Sequence, residues 1–112
     1  MIPQRLSRSL VLEKREIVPD GAGGFSETWV AVGTLWASVA ARTSREDFLG
    51  AAARPSVRYR IVVRGAPVGA PRRPLPQQRF RDGGRVFDIL TVTEADAAGR
   101  YLEILAEEGL AA

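Results

Sequence analysis

Arg58, Arg60 and Arg64 recur at even spacing in Val57-Arg58-Tyr59-Arg60-Ile61-Val62-Val63-Arg64. On a strand, side chains two residues apart leave the same face about 6.7 Å from one another. That spacing suits phosphates along a nucleic-acid backbone, or a matching row of carboxylates. The carboxylates exist: Glu103 and Glu107 share one face of a second alternating segment, Tyr101 to Glu107. Cross-strand ion pairing is therefore the first reading of these arginines, DNA contact the second and simple solvation the third. Arg72 and Arg73 lie in a proline-rich run. There they serve either to keep an exposed loop soluble or to probe an acidic groove on a neighbouring subunit. Trp29 and Trp36 complete the set. Trp36, in Leu35-Trp36-Ala37-Ser38-Val39, reads as a core or half-core aromatic. Trp29 follows a glycine-rich turn and reads as a barrel cap or an interface anchor, because tryptophan is enriched at contact hot spots.

Little else in the chain is suited to catalysis. Its 112 residues contain no cysteine and no histidine. That removes thiolate ligands and disulfides, and the commonest general base and metal ligand. No Gly-x-Ser-x-Gly occurs, and a serine triad would lack its base. Carboxylate spacing suited to an oxygen cage around a metal is also missing. Asp20-Gly21-Ala22-Gly23-Gly24 has neither a following helix nor a Gly-Lys-Ser/Thr ending, so it reads as a hairpin turn rather than a phosphate loop. Glu46 and Asp47 are adjacent and would leave different sides of a helix. The expectation is a protein that is not an enzyme and carries no cofactor.

Charge is segregated along the chain. Nine arginines and one acid, Asp82, lie between Arg54 and Arg85, whereas Val86 onward has one base, Arg100, and six acids. One part of the surface then presents a positive field and another a negative one. Copies stacked head to tail, or an edge facing DNA, would use such a division. The size fits one domain, expected over residues 1–112. No run of about 18 apolar residues would span a membrane, and Met1 to Arg5 lacks the apolar stretch of a secretory signal.

The elements that must position these residues are mostly short strands. Leu10 to Val18 ends at the turn signal Pro19-Asp20-Gly21. Phe25 to Val32 and Leu35 to Arg42 read as two strands separated by Gly33-Thr34. Val57 to Arg64 and Arg100 to Ala106 alternate with the period of two that a half-buried strand requires. Arg79 to Arg81 and Arg85 to Val92 flank Asp82-Gly83-Gly84, a hairpin signal. A short helix is expected from Thr43 or Ser44 to Ala53, ended by Pro55. Prolines 67, 71, 74 and 76 predict a loop from Pro67 to Gln78, extended and exposed from Ala70 to Pro76. Six or seven strands, Gly/Pro turns and one short inserted helix or long loop predict a mainly β fold, a small antiparallel barrel or sandwich.

The order of features is a Gly-Gly turn at Gly23-Gly24, then Trp29, then Trp36-Ala37. Gly83-Gly84-Arg85-Val86-Phe87-Asp88-Ile89 and the acidic end Leu105-Ala106-Glu107-Glu108-Gly109 complete it. Over residues 5–109 this resembles the head-tail joining (head closure, stopper or adaptor) proteins of tailed phages and phage-like particles, including gene transfer agents. The resemblance implies a small β-barrel whose copies, six or twelve, form a ring beneath the portal and adaptor. That ring extends the channel for double-stranded DNA, receives the tail or its terminator, and resides in the particle after assembly in the bacterial cytoplasm. It makes Gly23, Gly24, Trp29, Trp36, Ala37, Gly83, Gly84, Arg85, Phe87, Ile89, Glu108 and Gly109 mainly fold-defining. It places a channel-gating loop at Thr43 to Ser56, with Thr43, Ser44, Arg45, Glu46, Asp47 and Arg54 as candidates. Candidate subunit or ring contacts are Trp29, Arg58, Arg60, Arg64, Arg72, Arg73, Glu103, Glu107 and Glu108. In a ring the basic segment of one copy is expected against the acidic C-terminal strand of the next. The stretch Arg64 to Arg79 departs from the family pattern in its length and prolines. The alternatives are a nucleic-acid-binding barrel that stacks bases on aromatics, or another tail-tube or tail-terminator subunit.

Overall fold

The computed structural model describes residues 5–42 and 57–109. The expected helix from Thr43 or Ser44 to Ala53, and with it Thr43, Ser44, Arg45, Glu46, Asp47 and Arg54, lies outside the described residues.

Six antiparallel strands form one sheet closed on itself: β1 (Arg8–Pro19), β2 (Phe25–Arg42), β3 (Arg58–Arg64), β4 (Arg79–Asp82), β5 (Arg85–Glu94) and β6 (Tyr101–Gly109). Their order around the barrel is β1-β2-β3-β6-β5-β4. Within the barrel, closure pairs each strand on both sides, which removes the edges that could recruit other strands. The core takes one residue in two from each strand, including Leu10 and Leu12, Ile61 and Val63, Phe80, Phe87, and Leu102 and Ile104. These follow the alternation expected for β3 and β6.

Two bulges keep the apolar positions on the inner face. Leu12 pairs with Gly33 but Glu13 with Ala31, so Val32 is the extra residue and turns in toward the core. Gly33-Thr34 therefore does not separate two strands, as the sequence suggested; β2 runs through it for 18 residues. A bulge absorbs one unpaired residue and bends the strand without ending it. On β5, Ile89 pairs with Ala106 but Thr91 with Leu105. The extra residue, Leu90, lets Phe87, Ile89 and Val92 all reach the core.

The turns follow their residues. Asp20 Oδ1 accepts hydrogen bonds from the backbone N–H groups of Ala22 (2.8 Å) and Gly24 (3.0 Å), closing the β1–β2 hairpin. Gly83 takes φ +61° at the first central position of the β4–β5 hairpin, which glycine adopts without a side-chain clash. The proline-rich loop is not extended. Ala70 N–H bonds Pro67 O, Arg73 N–H bonds Ala70 O, and Gln78 N–H bonds Leu75 O, so it is a chain of tight turns. Pro74 is buried, and Arg73 Nη1 donates to Ala66 O at 2.8 Å. Gln77 and Gln78 then bond to Ile89 of β5 on both sides of its peptide.

At the other end of that loop, Gly65 meets the β5–β6 connection. A Cβ there would lie 2.1 Å from the carbonyl oxygen of Gly99, a backbone atom. Gly65→Ala is therefore expected to cost about 2 to 3 kcal/mol through overpacking. The check is a lower denaturation midpoint at an unchanged denaturant slope.

Candidate functional site

β1 and β4 meet over only three residue pairs: Val11 with Arg81, Leu12 with Phe80, and Glu13 with Arg79. Three ion pairs cross the same seam. Arg79 Nε donates to Glu13 Oε1 at 2.7 Å, Arg81 Nε donates to Glu13 Oε2 at 3.2 Å, and Arg8 pairs with Asp82. Arg79 is 4% exposed and its guanidinium lies 4.0 Å over the Trp29 ring. Trp29 is thus half-buried on the outer face, stacked by arginine, and not a plug in the barrel's end. The seam was not among the sequence expectations. Its one visible signal is Glu13, an acid directly following the apolar run Leu10-Val11-Leu12.

Glu108, expected at a subunit contact, has partners within its own chain. Arg85 Nε donates to Glu108 Oε2 at 3.0 Å and its Nη2 to Oε1 at 3.2 Å, a forked pair. The Tyr59 hydroxyl donates to Glu108 Oε1 at 3.1 Å and accepts from Arg85 Nη2 at 3.0 Å. Tyr59 meets Phe87 edge to face with ring centroids 5.1 Å apart. The hydrogen bonds from Arg85 hold the Glu108 carboxyl below its usual range, against the opposing effect of burial. The same contact raises the Arg85 guanidinium further. Neighbouring Gly109 allows close passage, since a Cβ would lie 2.5 Å from Asp88 Oδ2.

The outer face of β2, β3 and β6 carries the remaining candidates. Arg60 pairs with Glu103, and Arg58 Nε lies 3.7 Å from Glu107 Oε2. The arginine row of β3 meets the acidic row of β6 because these strands are neighbours in the barrel, with Arg58 opposite Glu107 and Val62 opposite Glu103. Arg64, one step further, has no ion-pair partner among the described residues. It lies with Leu6, Trp36 and Tyr101 along a groove of about 490 Å³. Trp36 is 60% exposed, so the core reading of this residue is corrected. Leu35 and Ala37 take the inner positions on either side of it. Arg72 is exposed in the turn-rich loop, whereas Arg73 is tied to Ala66. The structure therefore gathers Arg58, Arg60, Arg64, Glu103 and Glu107 on one face and leaves Trp29, Glu108, Arg72 and Arg73 elsewhere.

Beyond the seam, β1 and β2 continue as a two-stranded arm. Lys14 to Pro19 pairs with Phe25 to Val30 and with no third strand among the described residues. Ile17, Val18 and Phe25 on it are exposed.

Two outcomes follow from this geometry. Glu13→Ala leaves a buried arginine without its carboxylate, and is expected to cost about 3 kcal/mol or more, read as a lower unfolding midpoint. Glu108→Gln is expected to cost about 1 kcal/mol at neutral pH, because the pair is partly exposed. Glu108 ionises more readily folded than unfolded, so its contribution is complete above the ordinary glutamate range. It fades as pH falls through the lowered folded value. Stability curves of the wild type and Glu108→Gln should therefore approach one another as pH falls below the ordinary glutamate range, meeting below the lowered folded value.

Comparison with known proteins gives this arrangement a context. A native gene transfer agent virion particle contains a chain 48% identical, with a TM-score of 0.75, covering 97% of this chain and 99% of that one. The solution structure of protein SF1141 from Shigella flexneri 2a is 32% identical, with a TM-score of 0.69 and 97% of each chain covered. No curated protein matches. The family model described as phage head completion protein matches residues 1–109, and the chain belongs to that family.

Proposed function

We propose that this protein is a structural subunit that closes the head of a phage-like particle. In this reading, identical copies form a ring between the portal–adaptor complex and the tail, around the channel through which double-stranded DNA passes. The observation that carries it is the full-length similarity to a chain of a native gene transfer agent virion. Residence in the particle, contact with head and tail proteins, and a purely structural role without catalysis belong to the same proposal. The whole chain, 1–112, acts as one unit.

The electrostatics support passage of DNA more than retention of it. Arg58, Arg60, Arg79, Arg81 and Arg85 all have carboxylate partners on their own chain. A paired guanidinium contributes little to counterion release, whereas a continuous row of free ones would hold DNA and stall its exit. The segment Thr43 to Ser56 remains the proposed gating loop, resting on the family resemblance. Phe80 and Phe87 are in the core. That weakens the alternative of a barrel that stacks single-stranded bases on the aromatics of its second half.

Particles assembled without this protein test the reading. The expected result by electron microscopy is DNA-filled heads without tails, or heads that have lost their DNA. Normal tailed particles that keep their DNA would overturn it.

A further inference from the structure

We infer that the tip of the β1–β2 arm of one copy seats in the Leu6–Trp36–Tyr101 groove of a second copy of this chain. This deepens the ring proposal and rests on it.

An isolated two-stranded hairpin is at best marginally stable in water. Here six consecutive residue pairs, Lys14–Val30 to Pro19–Phe25, extend past the last contact with β4. The register places Arg15, Ile17 and Pro19 on the same face as Phe25, Glu27 and Trp29, because directly paired residues share a side. Arg15 and Glu27 satisfy one another at 3.2 Å. What stays unpartnered on that face is apolar: Ile17, 61% exposed, and Phe25, 72% exposed. An exposed aromatic ring at the end of a projection has few rotatable bonds to freeze, and it gains most by entering a pocket.

The barrel carries a pocket of matching character. Trp36, Arg64 and Tyr101 stand side by side on the outer face of β2, β3 and β6, with Leu6 beside them. An indole and a phenol ring suit an incoming phenyl group. Charge matches as well. Asp20 adjoins the tip; its Oδ1 is occupied by Ala22 and Gly24, while Oδ2 bonds nothing among the described residues. Arg64 is the groove's cation, and it too has no carboxylate partner among the described residues. Asp20 against Arg64 would complete both.

Phe25 cannot reach the groove of its own subunit. Phe25 and Trp36 lie on one strand, eleven residues or about 36 Å apart along it. The knob and the hole are distinct patches of the same subunit, so the contact is heterologous and repeats from copy to copy. Such contacts close into rings when the rotation permits.

Cysteine pairing in assembled particles tests this, since the chain has no cysteine of its own. Particles carrying Phe25→Cys together with Leu6→Cys are oxidised and resolved without reductant. The expected result is a ladder of dimers and higher multiples of this chain, with either single variant giving at least about tenfold less. The variants Asp20→Arg and Arg64→Asp should each reduce incorporation about tenfold, and the double reversal should restore it. Cross-links from position 25 to a different particle protein would overturn the inference. So would protein that is incorporated but not cross-linked, or a groove that binds single-stranded DNA while the charge reversals leave incorporation unchanged. Absence of the unmodified protein from particles would instead overturn the head-closure proposal, so the two failures are distinguishable.

Discussion

The barrel depends on the seam between β1 and β4. Everywhere else the strands are joined by longer ladders, but here closure rests on three residue pairs. The backbone contribution of so short a ladder is small. Side chains supply the rest. Glu13 is shared by Arg79 and Arg81 while Arg8 holds Asp82, so each end of β4 is bound to β1 by charge. Burial matters to this arrangement. Exposed pairs contribute little, but a carboxylate shared by two guanidiniums, one of them almost fully enclosed, cannot lose a partner without leaving a desolvated charge. Specificity follows from the same penalty: a one-residue slip of β4 would turn both arginines inward, away from Glu13.

A closed seam defines what lies outside it. β4 ends its pairing at Glu13, and β3 pairs with β2 only from Ala37 onward. The β1–β2 ladder, however, continues to Pro19 and Phe25. The arm is the part of the longest hairpin that the rest of the barrel is too short to accompany. The groove at Trp36 lies where β2 runs past the end of β3. The two surfaces proposed for assembly are therefore consequences of unequal strand lengths around one closed sheet. The opposite treatment is given to charge. Most basic residues of the central segment are neutralised inside the subunit, as with Arg58, Arg60 and Arg85. That arrangement suits the proposed role, in which the subunit meets other proteins and lets DNA pass.

Much of the local structure could be read from the residues. The alternation of Val57 to Arg64 and of Tyr101 to Glu107 announces strands with one apolar face, and Asp82-Gly83-Gly84 announces the hairpin. The pairing of Arg60 with Glu103 was legible too, because both charged rows had the period of a strand. Trp36 was harder. In Leu35-Trp36-Ala37-Ser38-Val39 both alternations contain an apolar residue, and size alone favours burying the indole. The bulge at Val32 and the register with β1 place Leu35 and Ala37 inside instead. The proline-rich loop misled in a different way. Prolines predict extension, but turns bonded from residue i to i+3 fold it back against β5.

By itself, the sequence determined the mainly β class, the hairpin turns at Asp20-Gly21 and Gly83-Gly84, the want of thiol and imidazole chemistry, and a resemblance to head-closure proteins carried by an ordered set of motifs. Each of these is written in nearest neighbours or in a period of two. Only the tertiary structure decided that Glu13 meets Arg79 across 66 residues, that Tyr59 and Arg85 converge on Glu108, and that Trp36 faces outward beside Arg64. The physical reason is that strand order is a non-local choice. Local alternation says which side of a strand is apolar, but closing the sheet decides which strands become neighbours and which ends are left to project.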